Sequence, residues 1–473
     1  MIPQRRATDD PRGQVMVIVA VAFVVILAFL AIIFDAANGM RTRRQMQDAG
    51  DAAALAAANV VQVGSPRGCS AASNTTPRAS VAQAARDSLA ANLPGYDASN
   101  AVITCPAGYE NHAVAVELNA VSARFFGGIV GGTLDIRTRS AAVNGQVTGT
   151  NYSIVLLDPS NGSWPQGRRG CPSLLLSGGP TVTLEGSVAI NSACTAANGG
   201  ALGTNGNAAS VTMTNDARIR LVGGFAPGPL TISPAPITGV PAVRDPLAGL
   251  PPIDAAAMPE RSGSRKVINN AVEVLRPGVY VGGIQLKNSA VALLEPGIYV
   301  LSGGGLDVGA QASVLSVPQG VSTVPTDWLA TCQPGTCGVL IYNTGTTGTM
   351  GQISVGAGAT LRMRAYDPSA QIGGTVDYRN LLIWQSAAPA PTSSYAQPEV
   401  ALGGGGTVDI RGTVYAPSAK VSMSGGAGGS GGAPTQLTLQ FITWDLELIG
   451  NSNFTFYFRD SDFARPTTYG LVN

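Results

Sequence analysis

Charge is scarce in this chain. Asp, Glu, Lys and Arg make up 12% of its 473 residues, about half the usual share of a soluble domain. Basic and acidic residues nearly cancel, 29 against 28. That excludes the clustered positive field that phosphate-driven nucleic-acid binding needs, so no nucleic-acid partner is expected. Histidine is almost missing: His112 serves the whole chain. A poly-histidine metal site is impossible, and Ser–His–Asp or Cys–His catalysis would rest on that one residue. His112 stands just before a strand-like segment and suits a surface or capping role. Lysine occurs only at Lys266, Lys287 and Lys420. The calcium nonapeptide repeat GGxGxD is absent, as is a Cys-x-x-Cys pair. What the chain does have is 60 glycines, 31 prolines and 45% hydrophobic residues. That hydrophobic share argues against charged disorder. Together with Val, Thr, Ser and Ala it points to a mainly β protein with many turns.

Val15 to Phe34 is a run of 20 residues without charge. At about 1.5 Å per residue it spans the roughly 30 Å hydrocarbon core of a bilayer. It exceeds the apolar core of a cleaved secretory signal, about 7–15 residues, and no small-x-small cleavage site follows it. Val15, Phe23, Phe29 and Phe34 mark the expected membrane anchor. Arg5, Arg6 and Arg12 precede the run, and Arg41, Arg43 and Arg44 follow it. Flanking charge therefore does not orient the span. The cysteines do: Cys69, Cys105, Cys171, Cys194, Cys332 and Cys337 all follow it. An even number without histidine partners fits disulfides in an oxidising compartment. Local pairing would join Cys69 to Cys105, Cys171 to Cys194 and Cys332 to Cys337. Sequence leaves about 15 connectivities open, and unpaired buried thiols are the competing reading. The N-terminus is expected in the cytoplasm and the bulk of the chain outside it.

The helix should continue beyond the membrane through Asn38 to Val63, rich in Ala, Arg and Gln, and weaken at Gly39 and Gly50. Ser80 to Leu93 repeats apolar residues with helical period and stops at Pro94-Gly95. Ala113 to Val121 and the stretch from Leu134 through Ile136 alternate as strands. Between them Phe125 and Phe126 belong to a short helix or turn and are read as core. This is a small α+β head on a helical stalk.

From residue 149 the sequence becomes repetitive. Pro277-Gly278 and Pro296-Gly297 stand 19 residues apart, each followed by a β-branched residue, Tyr and Val. After each, Gly-Gly precedes a short alternating strand, Ile284-Gln285-Leu286 and Leu306-Asp307-Val308. Short strands closed by Gly, Asn or Ser suit a parallel β-helix, whose coils share one core by stacking. A β-sandwich or jelly roll is the competing architecture, but it offers no reason for the Pro-Gly-x-Tyr echo. The Pro-rich stretch 227–259 reads as an extended loop or insertion. The run Gly425 to Gly432 lacks the ending of a phosphate loop and reads as a flexible loop.

Parallel β-helices can host carbohydrate chemistry, and glycoside hydrolysis wants two carboxylates about 5–10 Å apart. Outward candidates are Asp307, Asp377, Asp409, Asp445 and Glu447. Asp445 and Glu447 share one strand face, but an ordinary solvated face explains them. No catalytic, cofactor-binding or metal-binding residue is assigned, and no enzyme activity is expected.

The stretch Arg12 to Ala58 resembles the N-terminal module of Tad (tight adherence, Flp-type) pilus assembly proteins, the TadE/TadG-like group. Carrying the resemblance are Arg12, Gly13, Gln14, the apolar span, Asp35, Arg41, Arg43, Arg44, Gln47, Asp51 and Leu55. Processed pilins of this kind carry Glu five residues after the cleavage-site Gly. Ile18 stands there, which implies a permanent anchor. The head's order of strand, Phe-Phe turn and strand is similar to that family too. Beyond it, Pro277 to Tyr280, Pro296 to Val308, Tyr378 to Gln385, Gly412 to Val421 and Leu448 to Phe454 resemble the Gly-rich, β-helical C-terminal region of a TadG-related subgroup.

The expected architecture is mainly β. It has a cytoplasmic tail (1–13), a transmembrane helix (14–35), a Tad-like stalk with a small α+β head (36–148), and a large parallel β-helix or solenoid (149–473). The resemblance implies a non-catalytic structural component of a Tad pilus assembly machinery in the bacterial inner membrane, single-pass. Its implied partners are the lipid bilayer and pilin-like or other Tad subunits. A membrane-anchored adhesin for a surface polysaccharide or host surface is the first alternative. A carbohydrate-active β-helix enzyme is the second.

Overall fold

The computed structural model describes residues 11–61, 68–71, 75–107, 111–123, 133–146, 152–160, 171–226, 228–346, 348–367, 378–388, 397–403, 407–424, 435–451, 453–464 and 467–472. The tail 1–10, Phe125, Phe126, Asp377 and the glycine run 425–432 lie outside them. The chain divides into two compact units, residues 1–148 with 466–473 and residues 149–465.

The first unit is built on a single helix, α1 (Pro11–Val61), of 51 residues. Pro11 at its first position suits a helix start, because the missing N–H would have no partner there. The helix does not weaken at its glycines. A Cβ on Gly39 would lie 2.6 Å from Leu134, and one on Gly50 would lie 2.8 Å from the Ser140 hydroxyl. Each glycine costs helix propensity of about 1 kcal/mol, offset here by letting a sheet approach the helix backbone. A second helix, α2 (Ala79–Asn92), buries Val81, Ala82, Ala85 and Leu89. Strands β1 (Val102–Thr104), β2 (Ala113–Ala123) and β3 (Thr133–Gln146) form an antiparallel sheet. Its fourth strand is Thr467–Val472, which pairs with β3 from Ala141 to Gln146. These last residues were expected within the β-rich region. They join this sheet instead, because the edge of β3 offers them unpaired backbone groups.

The second unit is mainly β, and its strands stack in three parallel ladders, as a β-helix requires. The PGVY and PGIY stretches lie on one ladder, with Val279 opposite Val300. The two Gly-Gly strands lie next to each other on the second, Ile284 opposite Leu306 and Leu286 opposite Val308. Val272–Leu275 and Val291–Leu294 are neighbours on the third. A coil takes 17 residues at its shortest, from Arg220 to its neighbour Ile237. Alternate side chains point inward, so Ile284, Leu286, Leu306 and Val308 enter one core that continues through Ile341, Ile383, Phe441, Phe454 and Phe456. Between Ser316 and Gly338 the chain leaves the coil. This insertion carries the short helix Trp328–Thr331 and the Cys332–Cys337 disulfide. Trp328 Nε1 donates to the Ser316 carbonyl at 2.7 Å, and the insertion covers Leu293, Leu315 and Val317.

Coil order in space is a circular permutation of coil order in sequence. From Glu260–Ser262 onward each coil stacks on the one before it, as far as Thr435–Ile449 and Asn453–Phe456. The next coil in space is not the next in sequence. Phe441 pairs with Ile154, Leu446 with Leu174 and Asn453 with Thr181. The stack then continues through Ser187–Ile190 and Ile219–Leu221 to Ile237–Thr238. The chain thus enters and leaves the solenoid at adjoining coils inside the stack, and residues 238 and 260 lie at its two ends.

The Pro-rich segment makes that return. Its first part is not loop: Leu230–Ser233 and Ile237–Thr238 add rungs to two ladders. The remainder, 239–259, is a strap along the outside of the first ladder. Val243 exchanges backbone hydrogen bonds with the Asn191 amide at 2.7 and 2.8 Å. Tyr415 donates to Asp245 Oδ2 at 2.7 Å, and Tyr378 donates to the Pro251 carbonyl at 3.0 Å. Pro259 accepts from the Val279 amide at 2.9 Å. Leu247 is buried over an aromatic row in which Trp384 lies 4.8 Å from Tyr342 and 5.8 Å from Tyr415. Burial pushes the Asp245 carboxyl and the Tyr415 phenol both upward.

Candidate functional site: the anchor helix and its seat

α1 carries two kinds of surface. From Met16 to Phe34 its large apolar side chains are exposed: Phe23 is 60%, Phe29 63% and Phe34 55% exposed. Val15 lies in the same helix. The most apolar stretch reaches a mean hydropathy of 3.5 with none of it buried. An exposed surface of this kind is stable only against lipid or another apolar partner. Arg41, Arg43 and Arg44 are exposed on the helix, and Arg41 lies about 10 Å along it beyond Phe34. That places a cationic collar at headgroup depth when the apolar part is in a bilayer.

About three turns beyond Phe34 the same helix is inside protein. Met46, Ala49, Ala53, Ala54, Ala57, Ala58 and Val61 are buried, against the core that contains Val81, Leu89, Val116 and Leu118. Alanines keep helix propensity high and let α2 and the sheet come close. Gln47 ties helix to sheet: its Nε2 donates to Asp51 at 2.9 Å, to the Ser140 hydroxyl at 3.0 Å and to the Arg139 carbonyl at 3.3 Å. Two positions that carry the Tad resemblance, Gln47 and Asp51, thus form one polar latch. Arg78 was not singled out from sequence. Its Nε donates to the Gly68 carbonyl at 2.6 Å, and Nη2 reaches the Val60 and Val61 carbonyls at 3.2 and 3.3 Å. A cation there satisfies the unpaired carbonyls at the helix C-terminus and suits the helix dipole. A lone Arg before a helix carries no local signal of that job. The Cys69–Cys105 disulfide closes the same region. The other two disulfides, Cys171–Cys194 and Cys332–Cys337, also join local partners.

Of the outward carboxylates singled out from the sequence, the four among the described residues each have a partner. Asp445 accepts from the Ser173 hydroxyl at 2.6 Å, and Glu447 accepts from Ser177 at 2.7 Å. Gln285 donates to Asp307 at 2.7 Å, and Asp409 lies 3.5 Å from Arg411. Lys420 sits between Glu447 and Glu399. Burial lowers the pKa of its ammonium group, but the two carboxylates outweigh burial and raise it, so Lys420 is held charged. A charged lysine is a poor base. Lys266 pairs with Glu273. His112 is partly buried, and its carbonyl accepts from the Asn144 amide at 2.9 Å. Among the described residues no group of three His, Cys, Asp or Glu side chains converges as a metal site would require.

Residues 13–60 match the Tad family model, described as Flp pilus-assembly TadE/G-like. The match ends one residue before α1 does. No curated protein and no solved structure matches the chain significantly.

Proposed function

We propose, from a Tad domain that associates the chain with pilus assembly, that the protein is a membrane-anchored, non-catalytic structural component of a Tad/Flp-type pilus assembly machinery. The apolar part of α1 sits in the bacterial inner membrane, with the N-terminus in the cytoplasm and the bulk of the chain outside it. Its alanines permit close approach of pilin-like or other Tad subunit helices in the bilayer. The solenoid presents a long, stiff surface to partner subunits. The supporting observation is the continuity of α1: an exposed apolar segment and a buried alanine seat belong to one unbroken helix. Movement or contact in the membrane is therefore passed to the head without a hinge. The structural reading is further supported by the occupied carboxylates and the charged Lys420.

Deletion of the gene, followed by electron microscopy for pili, tests the reading. Loss of pili, rescued by the full chain and not by a variant lacking 15–34, is the expected outcome. Normal pili with lost surface attachment would refute it in favour of an anchored adhesin. That second reading draws on the size of the solenoid, which lies wholly outside the matched residues.

A further inference from the structure

One end of the solenoid carries a cleft that the anchoring role does not use. It has a volume of about 710 Å³ and opens between the Pro-Gly corners and the disulfide-closed insertion. Arg261, Arg276, Glu295, Gln319 and Thr336 supply its polar groups. Glu295 is buried, 8% exposed, and Arg276 stands out into solvent with its side chain 70% exposed. The Glu295 carboxylate is fixed: Oε1 accepts from the Gly320 amide at 3.1 Å, and Oε2 lies 3.6 Å from Arg276 Nε. Arg261 is oriented by its Nε, which donates to the Pro277 carbonyl at 2.8 Å. Both arginines therefore use their Nε inward. The outer edges of their forks carry no hydrogen bond to a described residue. Two guanidiniums against one carboxylate leave the cleft one positive charge in excess.

We propose that this cleft binds carboxylate-bearing sugar units of an acidic polysaccharide. A guanidinium fork matches a carboxylate bidentately, which accounts for the acid. Glu295 and Gln319 then supply acceptors and donors for neighbouring sugar hydroxyls, and the Thr336 hydroxyl, which donates to the Gln333 carbonyl at 2.8 Å, keeps its lone pairs to accept from one. An acidic peptide would satisfy the arginines but would set its further carboxylates against Glu295 and leave the amide and hydroxyl groups unused. A neutral sugar would leave both forks unpaired. The proposal holds whether or not the chain acts in pilus assembly, and its test does not involve pili.

Isothermal titration calorimetry on the full chain in detergent micelles, with trigalacturonate as probe, decides it. Maltotriose and triglutamate serve as the neutral and peptide comparators. Saturable binding of trigalacturonate is expected, with no saturation by maltotriose and much weaker binding of triglutamate. The double variant Arg261→Ala with Arg276→Ala should weaken binding by about tenfold or more, the loss of one to two charge-assisted hydrogen bonds. Arg261→Lys with Arg276→Lys keeps the charge, removes the fork and should also weaken it. Thr336→Val should weaken trigalacturonate without changing any residual binding of triglutamate. Both arginines are exposed, but Arg276 also faces the buried Glu295, so each variant is titrated once its circular dichroism spectrum and melting midpoint match those of the native chain. Absence of saturable trigalacturonate binding would overturn the proposal. So would equal affinity for triglutamate, or affinity unchanged in the double alanine variant.

Discussion

Three glycines separate two costs that are usually confounded. Gly304 has φ +73°, and a Cβ there would overlap the Gly282 carbonyl of the neighbouring coil. Gly351 has no left-handed backbone, but its Cβ would overlap the Gly304 peptide. Gly358 has φ +85° and open space around its Cβ position. Gly358→Ala therefore incurs only the left-handed conformation, about 1–2 kcal/mol. Gly351→Ala incurs only the overlap. That cost is about 1–3 kcal/mol or more, since the obstructing atoms are backbone and cannot rotate away. Gly304→Ala carries both, about 2–5 kcal/mol. Hydrogen exchange reads each side separately: the Leu306 amide donates to the Gln352 carbonyl at 3.1 Å across the Gly304–Gly351 pair of coils, and the Ile284 amide donates to the Gly305 carbonyl at 3.0 Å across the Gly282–Gly304 pair. The opening free energy should fall most at Ile284 in Gly304→Ala, less at Leu306 in Gly351→Ala, and hardly at either amide in Gly358→Ala. A Gly351→Ala chain with unchanged exchange at Leu306 would refute the argument that the coils need bare backbone to close to stacking distance.

Two more outcomes follow from burial and loop length. Removing the Cys69–Cys105 disulfide, whose partners are 36 residues apart, should destabilise by about 4 kcal/mol on the chain-entropy account. Removing Cys332–Cys337, 5 apart, should cost about 2 kcal/mol on the same account. Thermal unfolding of the paired Cys→Ala variants checks that order, and the reverse order would refute it. Burial pushes the Tyr280 phenol up to about 12. Its native pKa thus lies above the unfolded value near 10, so the folded state holds the proton longer. Its contribution is complete below about pH 10 and is lost as pH rises from about 10 to 12, at most about 2–3 kcal/mol. Tyr280→Phe should flatten the alkaline fall of the denaturation midpoint; an unchanged slope would show that Tyr280 is not its source.

The long apolar helix was the most legible part of the chain, because a run of about 20 uncharged residues has few regular structures open to it. Coil structure was legible where the repeat is nearly undecorated. The Gly-Gly strands at 284–286 and 306–308 do stack on each other. The Pro-Gly echo misleads by two positions, since Gly278 stands opposite Tyr299 and not Gly297. The period-2 alternation of a strand preserves the inward face across that offset. Three features left no local trace. No residue near 152 or 441 marks them as partners, because one apolar rung resembles another. Gly39 and Gly50 read as helix weaknesses, since propensity is local and the Leu134 and Ser140 contacts are not. Arg78 was silent for the same reason.

The permuted stacking sets a schedule for folding. As the polypeptide emerges from the N-terminal side, residues 152–238 present a bare ladder edge at Tyr152–Leu156. That edge waits for residues 435–456, with Gln440 reaching Tyr152 across 288 positions. Non-local pairing of this length folds slowly, and an unpaired strand edge in the meantime invites association with other chains. The last coil to be delivered is the keystone that covers two edges at once, those of Val408–Ser424 and Tyr152–Leu156. A chain stalled before residue 435 is therefore two half-stacks tethered by the strap, each with an open face, and a natural substrate for holding chaperones and proteases.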